Sequence, residues 1–320
     1  VIVTGTCILA LFCPLLQNIS LMSDYTILLL LYVLIANLHS LCGSMAQAMG
    51  RIRLYAVSGI LCTASVVGLN ILLLSIFRLG ITGYVLSNVI ADAFTALLLF
   101  FCLRLWKYFR PAALKRSVIK RMFSYCLPLI PATVCSWIIN ISDRYFISYM
   151  IGSDVSGLYA IANKISTILL IASGIFTSAW QISIVSQRSK QEQERFFSNV
   201  FSVYEAGILI GASVLMAASR LIMRFLAAPD YYEAWHYAPV LVLGMAIACL
   251  GSFFSSIYVA EKNSTATLLT TVAGAVTNIA GNALLIPVWG AMGAAIATLF
   301  SYLVIFVTRA VHSQTLLRIR

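Results

Sequence analysis

Charge is what this sequence has least of. Only 10% of its 320 residues are Asp, Glu, Lys or Arg, and the acids number 10 against 21 bases, where a soluble globular domain carries about 25%. With 61% hydrophobic residues and a mean hydropathy of +0.97, that shortage excludes a soluble domain and points to a polytopic membrane protein. Its 8 cysteines lie scattered through apolar runs with no CxxC pair, so they read as small buried hydrophobes, and no metal ligand is assigned. The P-loop pattern (Gly, four residues, Gly-Lys-Ser/Thr) is missing, which leaves direct drive by ATP unsupported. No outer segment exceeds about twenty residues, so a membrane polymerase or glycosyltransferase has no loop on which to carry catalytic acids. No catalytic residue is assigned, and the chain does not read as an enzyme. It also opens on Val1 inside an apolar run, without a signal-peptide n-region, so the true N-terminus is expected to lie further upstream.

Long apolar runs make up the rest. Ten fit, at about 1–17, 25–46, 54–77, 83–103, 122–148, 157–181, 198–219, 237–259, 265–286 and 291–309, each long enough to cross hydrocarbon as a helix. The expected fold class is therefore all-α, with ten transmembrane helices. Placing Lys and Arg on alternate sides puts 16 in the segments near Arg51 to Arg53, Arg104 to Arg121, Arg188 to Arg195, Lys262 and Arg309 to Arg320. Three fall on the other side (Arg78, Arg220, Arg224), and Arg144 and Lys164 lie within runs. That bias is the positive-inside signature and sets both visible ends in the cytoplasm. It also accounts for the net charge of +11 through anionic lipid headgroups and leaves no role for nucleic acid. The basic stretch divides the chain into an incomplete four-helix bundle (1–104), a cytoplasmic linker (105–121) and a six-helix bundle (122–320).

The most informative stretch is Pro128 to Lys164, two apolar runs joined by a turn at Gly152 to Gly157. Asp143, Arg144 and Lys164 fall roughly 10 to 15 Å below the outer surface at a rise of about 1.5 Å per residue. A charge there costs on the order of 3 kcal/mol, so such groups face protein or a wet cavity. Asp92 matches their depth. Arg144 shares a helix face with Asn140 and Trp137; Lys164, next to Asn163, shares another with Thr167, Ile171, Gly174 and Ser178. Two readings stay open: these groups line a path, or the two acids and two bases neutralise one another and lock the bundle. Asn37, Ser40, Ser44 and Gln47 likewise share a face, for packing or for a path. His236 beside Glu233, without a third ligand, makes a poor metal site.

Two segments repeat. LNILLLSIFRLGITG at Leu69 to Gly83 matches GNALLIPVWGAMG at Gly281 to Gly293, with Asn70 and Asn282 212 positions apart and Gly80 and Gly290 210 apart. The two-residue difference is a gap. An offset of six passes keeps the orientation, so a parallel six-helix repeat is expected, with the charged hairpin opening the second half and a substrate path at the interface of the halves. The visible chain then reads as passes three to twelve of a twelve-pass or longer protein.

PLIP (Pro128 to Pro131), the W-x-x-x-x-x-DRYF run (Trp137 to Phe146), Gly157 and Tyr159, Lys164, SAWQ (Ser178 to Gln181) and YYEAWHYAPVL (Tyr231 to Leu241) occur in that order. In these features the chain resembles the oligosaccharide-lipid flippases (the Wzx-type branch) of the multidrug/oligosaccharidyl-lipid/polysaccharide (MOP) exporter superfamily. The resemblance implies two bundles in a V around a cavity that opens alternately inward and outward, in the bacterial inner membrane. It implies an undecaprenyl-diphosphate-linked oligosaccharide as cargo, for O-antigen, capsule or exopolysaccharide synthesis, with a polymerase and a chain-length regulator as partners. Arg144, Lys164, Asn140, Trp137 and Asn163 would then line the cavity. Asp143 and Asp92 would hold the basic groups or take up H+ or Na+, with no other cofactor. A cation-coupled multidrug exporter of the same superfamily is the alternative, and a membrane polysaccharide polymerase the next.

Overall fold

Each of the nine apolar runs after the first is wound as one long helix. The structure, a computed structural model, describes residues 25–108, 115–184 and 190–316; the run at 1–17 lies outside them. The helices are α1 (Thr26–Ala48), α2 (Ile52–Asn70, continued by a π-helical turn at Ile71–Ile76), α3 (Gly80–Cys102), α4 (Arg116–Met150), α5 (Ser153–Ile184), α6 (Lys190–Leu226), α7 (Ala238–Ala260), α8 (Ser264–Trp289) and α9 (Ala291–Leu316). Among the described residues all nine are long and apolar enough to span a membrane, and none is a strand. Pro128 and Pro131 lie inside α4 without ending it, as membrane helices tolerate where neighbours satisfy the freed carbonyls.

The chain forms two compact units, 1–114 and 115–320. In the first, α3 packs against both α1 and α2, while α1 and α2 barely touch. Cys42, Ala46, Leu99 and Leu103 close one end of it. In the second unit α7 lies against α9, α5 and α6, and α8 bridges α9 and α4. Small residues let these backbones approach. Gly244 and Gly251 on α7 sit 3.4 and 3.6 Å, measured from a Cβ position, from the Cα atoms of Leu299 and Phe306 on α9, and Gly281 on α8 abuts Ala297. With lipid as apolar as Leu, such close packing is what holds membrane helices together. The far side of α7 is aromatic: Trp180 stacks on Phe253 and donates Nε1–H to Ser256 Oγ at 2.9 Å.

The repeat reaches further than the matched sequence. Thr26 and Ala238, Ala48 and Ala260, and Ile52 and Ser264 are helix ends, each pair 212 positions apart. The triplets α1–α2–α3 and α7–α8–α9 also share one packing pattern. Left-handed backbone recurs in register, at Gly50 (φ 70°) and Lys262 (φ 54°), then at Gly80 (φ 55°) and Gly290 (φ 59°). Three residues after the second pair, a Cβ on Gly83 or Gly293 would meet the carbonyl of Leu73 or Leu285. The two-residue gap falls where α2 turns π-helical at Ile71–Ile76 and Arg78 adopts φ 51°. An insertion is absorbed by widening the last turn, a usual origin of π-helix.

Candidate functional site

On α4 the charged pair splits between two faces, as a 100° step per residue requires. Asp143 is 4% exposed, in line with buried Ala132, Ile139 and Ile147. Trp137, Asn140 and Arg144 lie together on the exposed face. On α5, Tyr159, Ala162, Ile165 and Leu169 turn inward, while Lys164, Thr167, Ile171, Gly174 and Ser178 are exposed.

Four helices converge on the Asp143 carboxylate. Tyr159 Oη–H (α5) and Thr298 Oγ1–H (α9) each donate to Oδ2 at 2.6 Å. Asn282 and Asn278 (α8) donate Nδ2–H to Oδ1 at 2.8 and 3.2 Å. Around them Ser142 Oγ–H donates to Asn278 Oδ1 at 2.6 Å, and Asn278 Nδ2–H to Thr298 Oγ1 at 2.9 Å. Each carboxylate oxygen thus accepts two bonds, which fills the roughly four lone-pair sites that a carboxylate offers. Arg144 and Lys164 pair with no acid among the described residues. Of the two readings left open, mutual neutralisation finds no ion pair here: the 100° step per residue points Arg144 away from Asp143, and four neutral donors surround the carboxylate.

One acceptor in the cluster stays open. Asn282 Oδ1 is buried without a hydrogen-bond partner. With the carboxylate, Asn278 Oδ1 and Thr298 Oγ1 nearby, the donor set is all oxygen, the chemistry suited to a proton or a hard monovalent cation. Asp143 and Thr298 also line a narrow crevice with Asn140, Tyr159, Asn163 and Tyr302, and Tyr302 Oη–H donates to Asn140 Oδ1 at 3.3 Å. Asn140 and Asn163 thus share a crevice with Asp143, whereas Arg144 and Trp137 belong to the exposed face of α4. Lys164 lines a separate cavity of about 280 Å3 with Ile168, Met223 and Tyr231. Asp92, in the first unit, accepts from His39 at 2.8 Å and pairs with no Lys or Arg among the described residues.

Other expectations resolve locally. Asn37 and Ser44, both exposed, bond carbonyls of their own helix at 2.7 and 2.9 Å. His236 Nδ1 meets the Glu233 backbone carbonyl at 3.0 Å, and its ring stacks on Trp235, over which Arg220 lies at 3.8 Å. Arg309, counted among the basic residues at the C-terminal end, folds back onto its own bundle. Its guanidinium donates to Thr270 Oγ1, Thr271 Oγ1 and the Gly251 carbonyl at 3.1 to 3.2 Å. Asn278, Asn282 and Thr298 were missed as site residues. The signal for the first two was two asparagines at i and i+4 in an apolar helix.

Comparison with known proteins agrees with this architecture. The fold is that of a mutant of the Vibrio cholerae MATE transporter VcmN (TM-score 0.83, 13% identity, 99% of this chain and 78% of that one). It is also that of a MATE protein in complex with MaL6 (0.83, 12%, 98% and 77%). A MOP superfamily transporter from Pyrococcus furiosus, whose binding pocket is described as reversed in polarity, matches at 0.76 (12%, 98% and 76%). No curated protein matches the sequence. The profile described as "Polysaccharide biosynthesis protein" matches residues 1–181, more than half of the chain, and with nine membrane-length helices among the described residues in a MOP-transporter fold this chain belongs to the polysaccharide biosynthesis protein family.

Proposed function

We propose that this protein carries an undecaprenyl-diphosphate-linked oligosaccharide from the cytoplasmic to the outer leaflet of the bacterial inner membrane, by alternating access, for surface polysaccharide synthesis. The observation that carries the reading is Arg144: a cation in the apolar part of a membrane helix, exposed beside Asn140 and Trp137, with no acid paired to it among the described residues. Held at about 3 kcal/mol of insertion cost, an unpaired guanidinium is suited to an anion that arrives from outside the chain. Its planar fork matches a phosphate bidentately. Asn140 and Trp137 supply an amide and an aromatic face for sugars, and Lys164 a second positive charge. The polysaccharide biosynthesis family supports the same cargo.

Asp143 supports coupling. A proton or Na+ at its carboxylate would change which of Tyr159, Thr298, Asn278 and Asn282 can bond it, and those residues tie α4 to α5, α8 and α9. The second reading, a cation-coupled multidrug exporter, is favoured by that same cluster together with the MATE-like fold; the unpaired bases count against it, because a cationic drug would be repelled.

Cells carrying Arg144→Ala should lose surface polysaccharide while the protein remains in the membrane at wild-type abundance. Arg144→Lys, which keeps the charge but not the fork, should retain part of it. Equal loss of folded protein would make Arg144 a structural residue. Unchanged polysaccharide with altered drug resistance would favour the exporter.

A further inference from the structure

The first unit gathers three metal-ligating side chains of different chemistry at one point. His39 comes from α1, Cys62 from α2 and Asp92 from α3, each close to the middle of its helix. His39 Nδ1 lies 2.8 Å from Asp92 Oδ1, and Cys62 Sγ 3.5 Å from the same oxygen. The three ligand atoms all fall within 4.8 Å of one another, and all three residues are half-buried. A tetrahedral zinc ion, with bonds of about 2.0 Å to N and O and about 2.3 Å to S, sets its ligand atoms roughly 3.3 to 3.6 Å apart. Closing the triangle onto an ion therefore asks for shifts of about one ångström.

Charge argues for the same occupant. An ionised thiol and a carboxylate in an apolar bundle would leave two negative charges among helices that supply no Lys or Arg to Asp92 among the described residues. A divalent ion bound by Cys62 thiolate, Asp92 carboxylate and neutral His39 leaves no net charge, the arrangement that a low-dielectric site favours. The thiol proton leaves to solvent on binding.

The repeat shows that the helix packing does not itself require these side chains. In the register of the two units, His39, Cys62 and Asp92 correspond to Gly251, Gly274 and Tyr302. There the gap is closed by packing: a Cβ on Gly274 would run into Ile305, and Ser301 Oγ–H donates to the Gly274 carbonyl at 2.8 Å. The same helix triplet is built without ligands in one unit and with three in the other.

We propose that His39, Cys62 and Asp92 form a binding site for a borderline-soft divalent metal of the zinc class, with water in the fourth position, which staples α1, α2 and α3. The proposal is independent of the transport reading and of Asp143. The test uses the full chain in detergent micelles. One equivalent of Co2+ should give a thiolate-to-cobalt charge-transfer band in the near ultraviolet, displaced by Zn2+. That band should be lost in Cys62→Ser and retained in Cys42→Ser, whose thiol is buried in a separate cluster. In the unsubstituted chain, Zn2+ should slow maleimide alkylation of Cys62 by about tenfold or more, since the metal-bound thiolate is withdrawn from attack. Absence of the band at one equivalent, its survival in Cys62→Ser, or an unchanged alkylation rate would overturn the proposal.

Discussion

Asp143 accepts every cross-helix bond its two oxygens can take, and the consequence of changing it follows from that count. In Asp143→Asn one oxygen becomes an NH2 group facing donors, here two of Tyr159, Thr298, Asn278 and Asn282. Leaving buried donors unpaired costs about 1 to 3 kcal/mol each, so this variant should melt several degrees lower in detergent. Tyr159→Phe removes one donor and leaves an acceptor that three others still satisfy, so its loss should be the smaller. Thermal unfolding of the purified variants measures the order. Little of this was legible in the sequence: Asp143 announced itself as an acid in an apolar run, but its partners lie 16 to 155 positions away. Arg309 is a related case. It sits at the edge of an apolar run followed by further basic residues, a pattern that does not distinguish a headgroup anchor from a guanidinium folded back onto two threonines and a carbonyl.

Among elements, the agreement between expected runs and observed helices has a simple cause: the hydrocarbon thickness fixes how many apolar residues a span must have. The run expected at 237–259 is the helix Ala238–Ala260. The error is larger where a helix continues into polar sequence, as at α4, which starts at Arg116 and not near 122. The repeat motif marked two turns whose left-handed glycines the sequence could suggest but not prove. Lys262 occupies the backbone position that Gly50 holds in the other unit, and a non-glycine residue there carries about 1 kcal/mol of strain. Lys262→Gly should therefore raise the melting temperature slightly, and Gly50→Lys should lower it. Gly293→Ala, which drives a methyl into the Leu285 carbonyl, should be far more damaging than Gly174→Ala, where a Cβ meets nothing within 4 Å. Melting curves of these four variants test the repeat as a structural identity.

For the whole molecule, the charge bias predicts an orientation. In a cysteine-free background, Asp230→Cys, in the aromatic segment Pro229–His236, should react with a membrane-impermeant maleimide in intact cells. Lys262→Cys, between α7 and α8, should react only after permeabilisation. The reverse pattern would invert the topology and with it the direction of transport.

The central claim is that Arg144 binds the phosphate of a lipid-linked cargo, with Lys164 as a second positive charge. It is tested most directly in proteoliposomes containing an undecaprenyl-diphosphate oligosaccharide, by following how fast its head group moves from one leaflet to the other. The wild-type chain should accelerate that movement, and a folded Arg144→Ala/Lys164→Ala double variant should fall to the protein-free rate. Movement at the wild-type rate by the folded double variant would contradict the account.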